Sequence, residues 1–400
     1  MKLINGFCFR LVFTVLMVGC HNMQSDRKDM EAQAVTNNTK DVLLLYIGTY
    51  TQKEEHVNGK AGGIYVYQLD IATGKLDYIS TSPAVVNPSY IALHKDSLLY
   101  AVNEIGTEKG EPSGKISAFK IIKGGRELEF INAVSSEGNY PCYIDFDNRG
   151  KFAMVANYGS GTVAVMQLRP DGSAGESCAI DQHHEKGLDG KQKDAHAHMI
   201  IPSPDNRFVY SCDLGTDRIY IYQFDPETGK LIASTKNYAT QPGAGPRHMV
   251  FHPQKDLAYV VNELNGTIEC MKWDRDSGAL MRFQVISTVL TGTGSDASCA
   301  DIHLTPSGNY LYASNRGEQN NIAMYSVNQQ SGELSLLGHQ PVNGKTPRSF
   351  VIDPTGTYLL VANQDTDNIV TFRIDKATGK LLETGIETSI PTPVCLKFPE

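Results

Sequence analysis

The chain has 400 residues, 41% of them hydrophobic and 20% charged, a balance that supports a buried core and excludes disorder as the default state. Its formal net charge of -8 argues against a nucleic-acid surface, which needs clustered Lys and Arg that the sequence lacks. A few local arginines can still bind an anionic small molecule.

At the N-terminus Lys2 and Arg10 lead into the apolar run 11–18, and Gly19 and Cys20 lead out of it into polar sequence. The run is too short to cross a bilayer, so residues 1–19 read as a cleaved export signal. A small residue before Cys20 resembles a bacterial lipobox, with Met17 where such motifs usually carry Leu. Cys20 is therefore the candidate lipidation site of a membrane-anchored lipoprotein, and a soluble periplasmic protein is the second reading. Residues 20–40 read as a polar, flexible linker, so membrane contact is expected only through the lipid.

Cys8 leaves with the signal, and Cys142, Cys178, Cys212, Cys270, Cys299 and Cys395 remain. An even count in an exported protein invites disulfides. These six are scattered singly over different parts of the chain, five of them in apolar strands, so buried free thiols are expected. No two have zinc-site spacing.

From residue 41 onward the chain repeats itself. A short apolar strand, a turn rich in Pro, Asp, Asn or Gly, and a second strand closing on a polar residue recur. The clearest copies are GPRHMVFHPQKDLAYVVNEL (245–264) and TPRSFVIDPTGTYLLVANQD (346–365). The closing residues Asn103, Asn157, Asp213, Asn262, Asn315 and Asn363 are spaced 54, 56, 49, 53 and 48 apart. A third strand follows each time (GTVAVMQL, DRIYIYQF, GTIECMKW, DNIVTFRI), then a turn such as DPETGKL or DKATGKL. Alternating Val, Ile, Tyr and Phe between such turns reads as four-stranded antiparallel units, and repeats of this length are propeller blades. Six copies lie between Asn87 and Asp365. A seventh is split, with PTPVCLKF (391–398) supplying its first strand and LLLYIGTY (43–50) and GGIYVYQL (62–69) its second and third. The expected fold is all-β: one seven-bladed propeller over 41–400, its last blade closed by strands from both termini, which removes sheet edges. It is read as a monomer.

In an antiparallel blade the start of the first strand and the end of the second face the same mouth of the central channel. First-strand starts carry His196, His198, Arg247, His248, Asp301, His303 and Arg348. Second-strand ends carry Glu104, Asn157, Tyr158, Asp213, Asn262, Glu263, Asn315, Arg316, Gln364 and Asp365. Arginines, imidazoles and carboxylates converging on one concave site make a pocket for an anionic substrate. Each residue also has a structural reading. The recurring Asn and Asp suit turn capping. Arg247 and Arg348 share a repeat position and could brace neighbouring blades, and His248 and His303 could be satisfied core residues. His198 takes the Arg247 position in its own repeat, a departure that favours function. The pair His183-His184 reads as a solvated loop without a third metal ligand. There is no G-x-S-x-G elbow and no phosphate-binding glycine loop, so metal-free, cofactor-free acid–base chemistry is expected.

These stretches, GAGPRHMVFHP with VVNEL, ADIHLTPSGNYLYASNR, the HAH element with YSCDLGTDRIYIY, and TPRSFVIDPTGTYLLVANQD, resemble the lactonase family of seven-bladed propellers over residues 42–398. The family includes cycloisomerase-type 6-phosphogluconolactonases and is related to carboxy-muconate cyclases. The resemblance implies hydrolysis of a sugar lactone at the channel mouth. It assigns catalytic roles to His198 of HAH, Arg247 of GPRH, Glu263 of NEL and Arg316 of SNR, with His196 as the alternative to His198. His196, His248, Asn157, Asp213, Asp301 and Arg348 are the expected substrate-binding residues. Glu263 or His198 would activate water, with a pKa near neutrality, and Arg247 and Arg316 would stabilise the oxyanion or hold a phosphate or carboxylate. An export signal sits awkwardly with phosphorylated pentose-pathway intermediates, which are cytosolic. The alternatives are a non-phosphorylated aldonolactone as substrate, or a non-catalytic propeller binding a glycan or protein partner.

Overall fold

The structure, a computed structural model, describes residues 42–399 apart from 96, 109, 188, 189, 191 and 291–296. The signal, Cys20 and the linker lie outside the described residues.

The repeat folds as seven antiparallel sheets, and no helix occurs among the described residues. Blade 1 is the split one: Pro393–Lys397 pairs with Val42–Thr49, which pairs with Tyr65–Asp70 and then Leu76–Thr81. Blade 2 runs Tyr90–His94, Leu98–Asn103, Lys115–Ile122 and Glu127–Ser135, and blade 3 Pro141–Phe146, Phe152–Asn157, Thr162–Leu168 and Ala174–Gln182. Blade 4 begins Ala197–Pro202, Phe208–Asp213 and Arg218–Phe224; its outer strand is broken into Leu231–Ala233 and Tyr238–Ala239. Blades 5, 6 and 7 start at Pro246, Cys299 and Pro347 and end at Ser287, Pro341 and Ser389. Each first strand touches the first strand of the next blade, and Pro393–Lys397 meets both Pro347–Ile352 and Tyr90–His94, so the ring closes.

Burial follows this layering. Second strands such as Phe152–Asn157 and Tyr358–Asn363 are buried along their whole length, because blades cover both faces; they read as continuous apolar runs. Outer strands such as Leu381–Ser389 alternate between partly buried and exposed residues. Tyrosine hydroxyls clasp neighbouring blades. Tyr46, Tyr100, Tyr210, Tyr259 and Tyr312 donate to the carbonyls of Gly125, Gly172, Gly278, Gly332 and Gly379, each glycine lying in the outer turn of the next blade. Those five glycines all adopt positive φ, which the tight turn requires and which other residues adopt at a cost. The six described cysteines are free thiols, five of them buried and Cys178 half-buried.

Two local features set the channel mouth. Asn87, Tyr140, Gly245, Thr346 and Thr392 precede first strands and all have positive φ. For a β-branched residue this stores strain, on the order of 1–3 kcal/mol. Hydrogen bonds hold two of them in place: Thr346 Oγ1 donates to Asp365 Oδ2 at 2.5 Å and Thr392 Oγ1 to the Tyr50 carbonyl at 2.7 Å. At the first-strand starts of blades 3 to 7 the strand pairing slips, between Pro141 and Tyr143, Ala197 and Met199, Pro246 and His248, Cys299 and Ile302, and Pro347 and Ser349. A bulge of this kind re-aims the extra residue. Cys142, His198, Arg247 and Arg348 occupy it in blades 3, 4, 5 and 7, and all four line a small chamber on the channel axis.

Candidate active site

Above that ring of bulged residues lies a cavity of about 390 Å³. His196, His198, Glu263, Arg316 and Arg348 line it, joined by His56, Glu104, Tyr140 and Tyr158. Arg247 lies just beneath, 2% exposed.

Glu263 is the centre of one half. Its Oε2 stands 2.9 Å from both Arg247 Nε and Arg316 Nη2. The contact to Arg247 is one of charge, off the line of the Nε–H bond. Backbone carbonyls fix both guanidiniums. Arg247 Nη1 donates to Ala300 O at 2.5 Å, and Arg316 donates through Nε and Nη2 to Ser298 O and Cys299 O at 3.3 and 3.2 Å. Burial alone would raise the Glu263 pKa, but Arg316, then Arg247 and Arg348, outweigh it and hold the group below the ordinary glutamate value. Arg247 shares this single carboxylate with another cation. Burial first and Arg316 second pull its own pKa down to about 10, against the opposing pull of Glu263.

His198 is buried beside this cluster, its Nδ1 3.8 Å from Cys142 Sγ and its ring edge-on to Tyr158. Burial, then Arg247, His248 and Arg348, push its pKa well below the usual imidazole range. At neutral pH His198 is thus an uncharged imidazole and Glu263 a carboxylate. This corrects the expectation of a base tuned near neutrality: both groups are ready to accept a proton, and both are weak bases while unliganded. His196 stacks on Tyr158 at 4.4 Å between ring centroids and contacts its carbonyl through Nδ1 at 2.9 Å.

The other half of the mouth centres on Glu104, which is buried. Tyr50 OH donates to its Oε2 at 2.8 Å, Arg348 Nη2 lies 3.5 Å from Oε2, and His56 Nε2 lies 3.2 Å from Oε1. Burial would raise the Glu104 pKa; Arg348 first and His56 next lower it on balance. His56 sits on a small hairpin, Lys53–Glu54 paired with Val57–Asn58, inserted after the second strand of blade 1. Sequence reasoning missed His56 and Tyr50. Glu104 could have been weighted more heavily, since VNEI (102–105) and VNEL (261–264) place it where blade 5 carries Glu263. His56 falls outside the repeat, where that comparison has no purchase.

Four expected substrate-binding residues are not in this cavity. Asn157 is fully buried and donates to Ser136 O and Thr162 Oγ1. It belongs to a structural series: Asn103, Asn315 and Asn363 donate in the same way to the carbonyls of Val86, Thr288 and Val342, which follow the outer strand of the preceding blade. Asp213 is also fully buried; it accepts from the backbone N–H groups of His196 and Thr216 and pairs with His183 Nδ1 at 2.6 Å. His183, expected in a solvated loop, is therefore a buried residue, stacked on Tyr220, while its neighbour His184 is exposed. His248 and Asp301 lie one residue further along their strands and face the opposite mouth. There Asp301 bridges His248 Nδ1 at 2.9 Å and His303 Nε2 at 3.2 Å, and these three help line a second cavity of about 350 Å³. His248 also lines the axial chamber between the two cavities, its Nε2 3.5 Å from Arg247 Nη1.

Among the described residues, no group of three or more His, Cys, Asp or Glu is arranged to hold a metal ion. Fold and site together define a seven-bladed propeller with an axial pocket of paired arginines, carboxylates and imidazoles. Comparison with known proteins agrees with that class. Residues 44–398 match the family described as lactonase, 7-bladed β-propeller. A 6-phosphogluconolactonase of Bacillus subtilis is 34% identical over 354 residues, 88% of this chain and 97% of that protein. One from Formosa agariphila is 33% identical, over 84% and 94%. The solved structure of a periplasmic gluconolactonase, PpgL, of Pseudomonas aeruginosa superimposes with a TM-score of 0.83 at 29% identity, covering 90% of this chain and 99% of that one. The chain belongs to the lactonase family of seven-bladed β-propellers. It is a lactone-hydrolysing enzyme of the carboxylic-ester class.

Proposed function

We propose that the protein opens a sugar lactone bound across the Glu263 half of the mouth. The observation that carries this is one carboxylate held 2.9 Å from two guanidiniums, beside an uncharged, buried imidazole. The lactone carbonyl oxygen would sit on the N–H groups of Arg316 and Arg247, and a water would be held by Glu263 and His198. As the oxyanion forms it draws the guanidinium charge away from Glu263, whose basicity rises when it must accept the proton. Tyr140, Tyr158 and His196 are placed to meet ring hydroxyls.

The substrate of the Bacillus and Formosa relatives makes 6-phosphogluconolactone the first candidate. A second reading, a non-phosphorylated aldonolactone, has its own support. Arg247 and Arg316 are paired with Glu263 and Arg348 with Glu104, so these three guanidiniums carry carboxylates already and would have to exchange them for a phosphate. The Pseudomonas relative is a periplasmic gluconolactonase, which also fits reading residues 1–19 as an export signal. We further propose lipid anchoring at Cys20, on the lipobox-like Gly19-Cys20 step.

Acid release from 6-phosphogluconolactone and glucono-1,5-lactone, with spontaneous hydrolysis subtracted, tests the reading and chooses between the substrates. Background rates on every lactone would overturn it and favour a binding module.

A further inference from the structure

The mouth contains two arginine–carboxylate pairs, and the chemistry above uses one. Arg348 holds the bulged position of Arg247 two blades further on, and Glu104 stands at the second-strand end equivalent to Glu263. The second pair is not left to itself. Glu104 is buried and held from three sides, by Tyr50 OH, Arg348 and His56. His56 is 39% exposed, so its imidazole reaches from a buried carboxylate into the cavity that Glu263 and Arg316 also line. Tyr50 and Tyr140 pack edge-on against it, with ring centroids at 5.6 and 5.4 Å. A carboxylate on one imidazole nitrogen orients the ring and leaves the other nitrogen to exchange a proton with a ligand. Here the carboxylate contact uses Nε2, so the working proton is the one on Nδ1.

Lactone opening needs such a group. Water activation is only half the reaction: the ring oxygen leaves as a strongly basic alkoxide unless it is protonated as the C–O bond breaks. Glu263 and His198 carry no proton to give at neutral pH, and guanidiniums do not give theirs up.

We propose that His56, oriented by Glu104, is the proton donor to the leaving ring oxygen; this rests on the upper mouth being the lactone site. The water oxygen bonds to the carbonyl carbon and its proton passes to Glu263. The bond from carbonyl carbon to ring oxygen breaks, and that oxygen takes the Nδ1 proton of an imidazolium His56 to become a hydroxyl. Glu263 then releases its proton to solvent and His56 takes one up, so the sum is lactone plus water to hydroxy acid. Glu104 acts through His56 and is a positioning residue.

The test is His56→Gln in the full chain, with kcat and KM on the better lactone measured and the melting temperature checked. His56→Asn guards against a folding defect peculiar to one variant. The expected result is a kcat lower by about 10²-fold with an unchanged KM and melting temperature. Glu104→Gln should lower kcat by a smaller factor, also at unchanged KM. A kcat within about twofold of wild type in a folded His56 variant, or a loss carried by KM alone, overturns the proposal while wild-type turnover keeps the lactone reading intact. Wild type inert on every lactone overturns both.

Discussion

Glu263 and Glu104 each follow the closing asparagine of a second strand, in blades 5 and 2, and each is ion-paired to an arginine from a bulged first-strand position. The repeat has thus placed two charge pairs on one channel mouth. They differ in what completes them: a second arginine for Glu263, a histidine and a tyrosine hydroxyl for Glu104.

Arg247→Ala should lower kcat/KM on the lactone substrate by at least about tenfold, since one oxyanion donor is typically worth about 2.7–4 kcal/mol of barrier. Glu263 keeps Arg316, so the fold should survive. Steady-state kinetics with a circular-dichroism control measure both. Wild-type rates in the folded variant would remove Arg247 from the reaction.

Stability should fall as the pH is lowered from 6.5. His198 and His248 are both held below their ordinary value of 6.5, His248 at about 4, chiefly by burial. The unfolded chain therefore binds protons below pH 6.5 that the folded one refuses, and the loss accumulates down to the folded pKa values. Urea midpoints from pH 7 to pH 5 should fall for wild type and fall less for His198→Asn. Equal slopes would show that His198 protonates freely in the folded state.

Tyr259→Phe should cost about 1–3 kcal/mol of stability, because the Gly332 carbonyl loses its buried donor. Lactone turnover should be untouched, the clasp being remote from the mouth. Denaturant titration reads the first, and unchanged urea midpoints would show that these clasps contribute nothing.

Asn157→Ala should destabilise through the lost bond to the Ser136 carbonyl, by about 1 kcal/mol or more, and leave KM alone. A raised KM at wild-type stability would return Asn157 to the substrate site.

Cys20→Ser should abolish incorporation of labelled palmitate in a bacterial host while leaving lactone turnover in extracts unchanged. Label persisting in the variant would rule out anchoring at this residue.

Much of the fold was legible because a blade states itself locally. Two-residue alternation, Pro-Asp-Gly turns and a closing Asn recur with each repeat, and the odd strand pieces at the two ends complete the count. The candidate site was legible where it departs from the repeat, as in His198, Glu263 and Arg316. It was misread where a residue's direction mattered. Asn157 and Asp213 stand at the expected mouth but turn into the packing between blades, bonding to Ser136 and His183 of the preceding repeat, and His248 and Asp301 help line the cavity at the opposite end of the channel. Sequence periodicity by itself determined the seven-bladed ring, since burial between blades imposes the same pattern on every copy. Tertiary structure alone decided that Arg348 of blade 7, Glu104 of blade 2 and His56 of an insertion in blade 1 meet at one point. Such a contact depends on how a closed ring brings distant strands to its axis, and no local pattern encodes that.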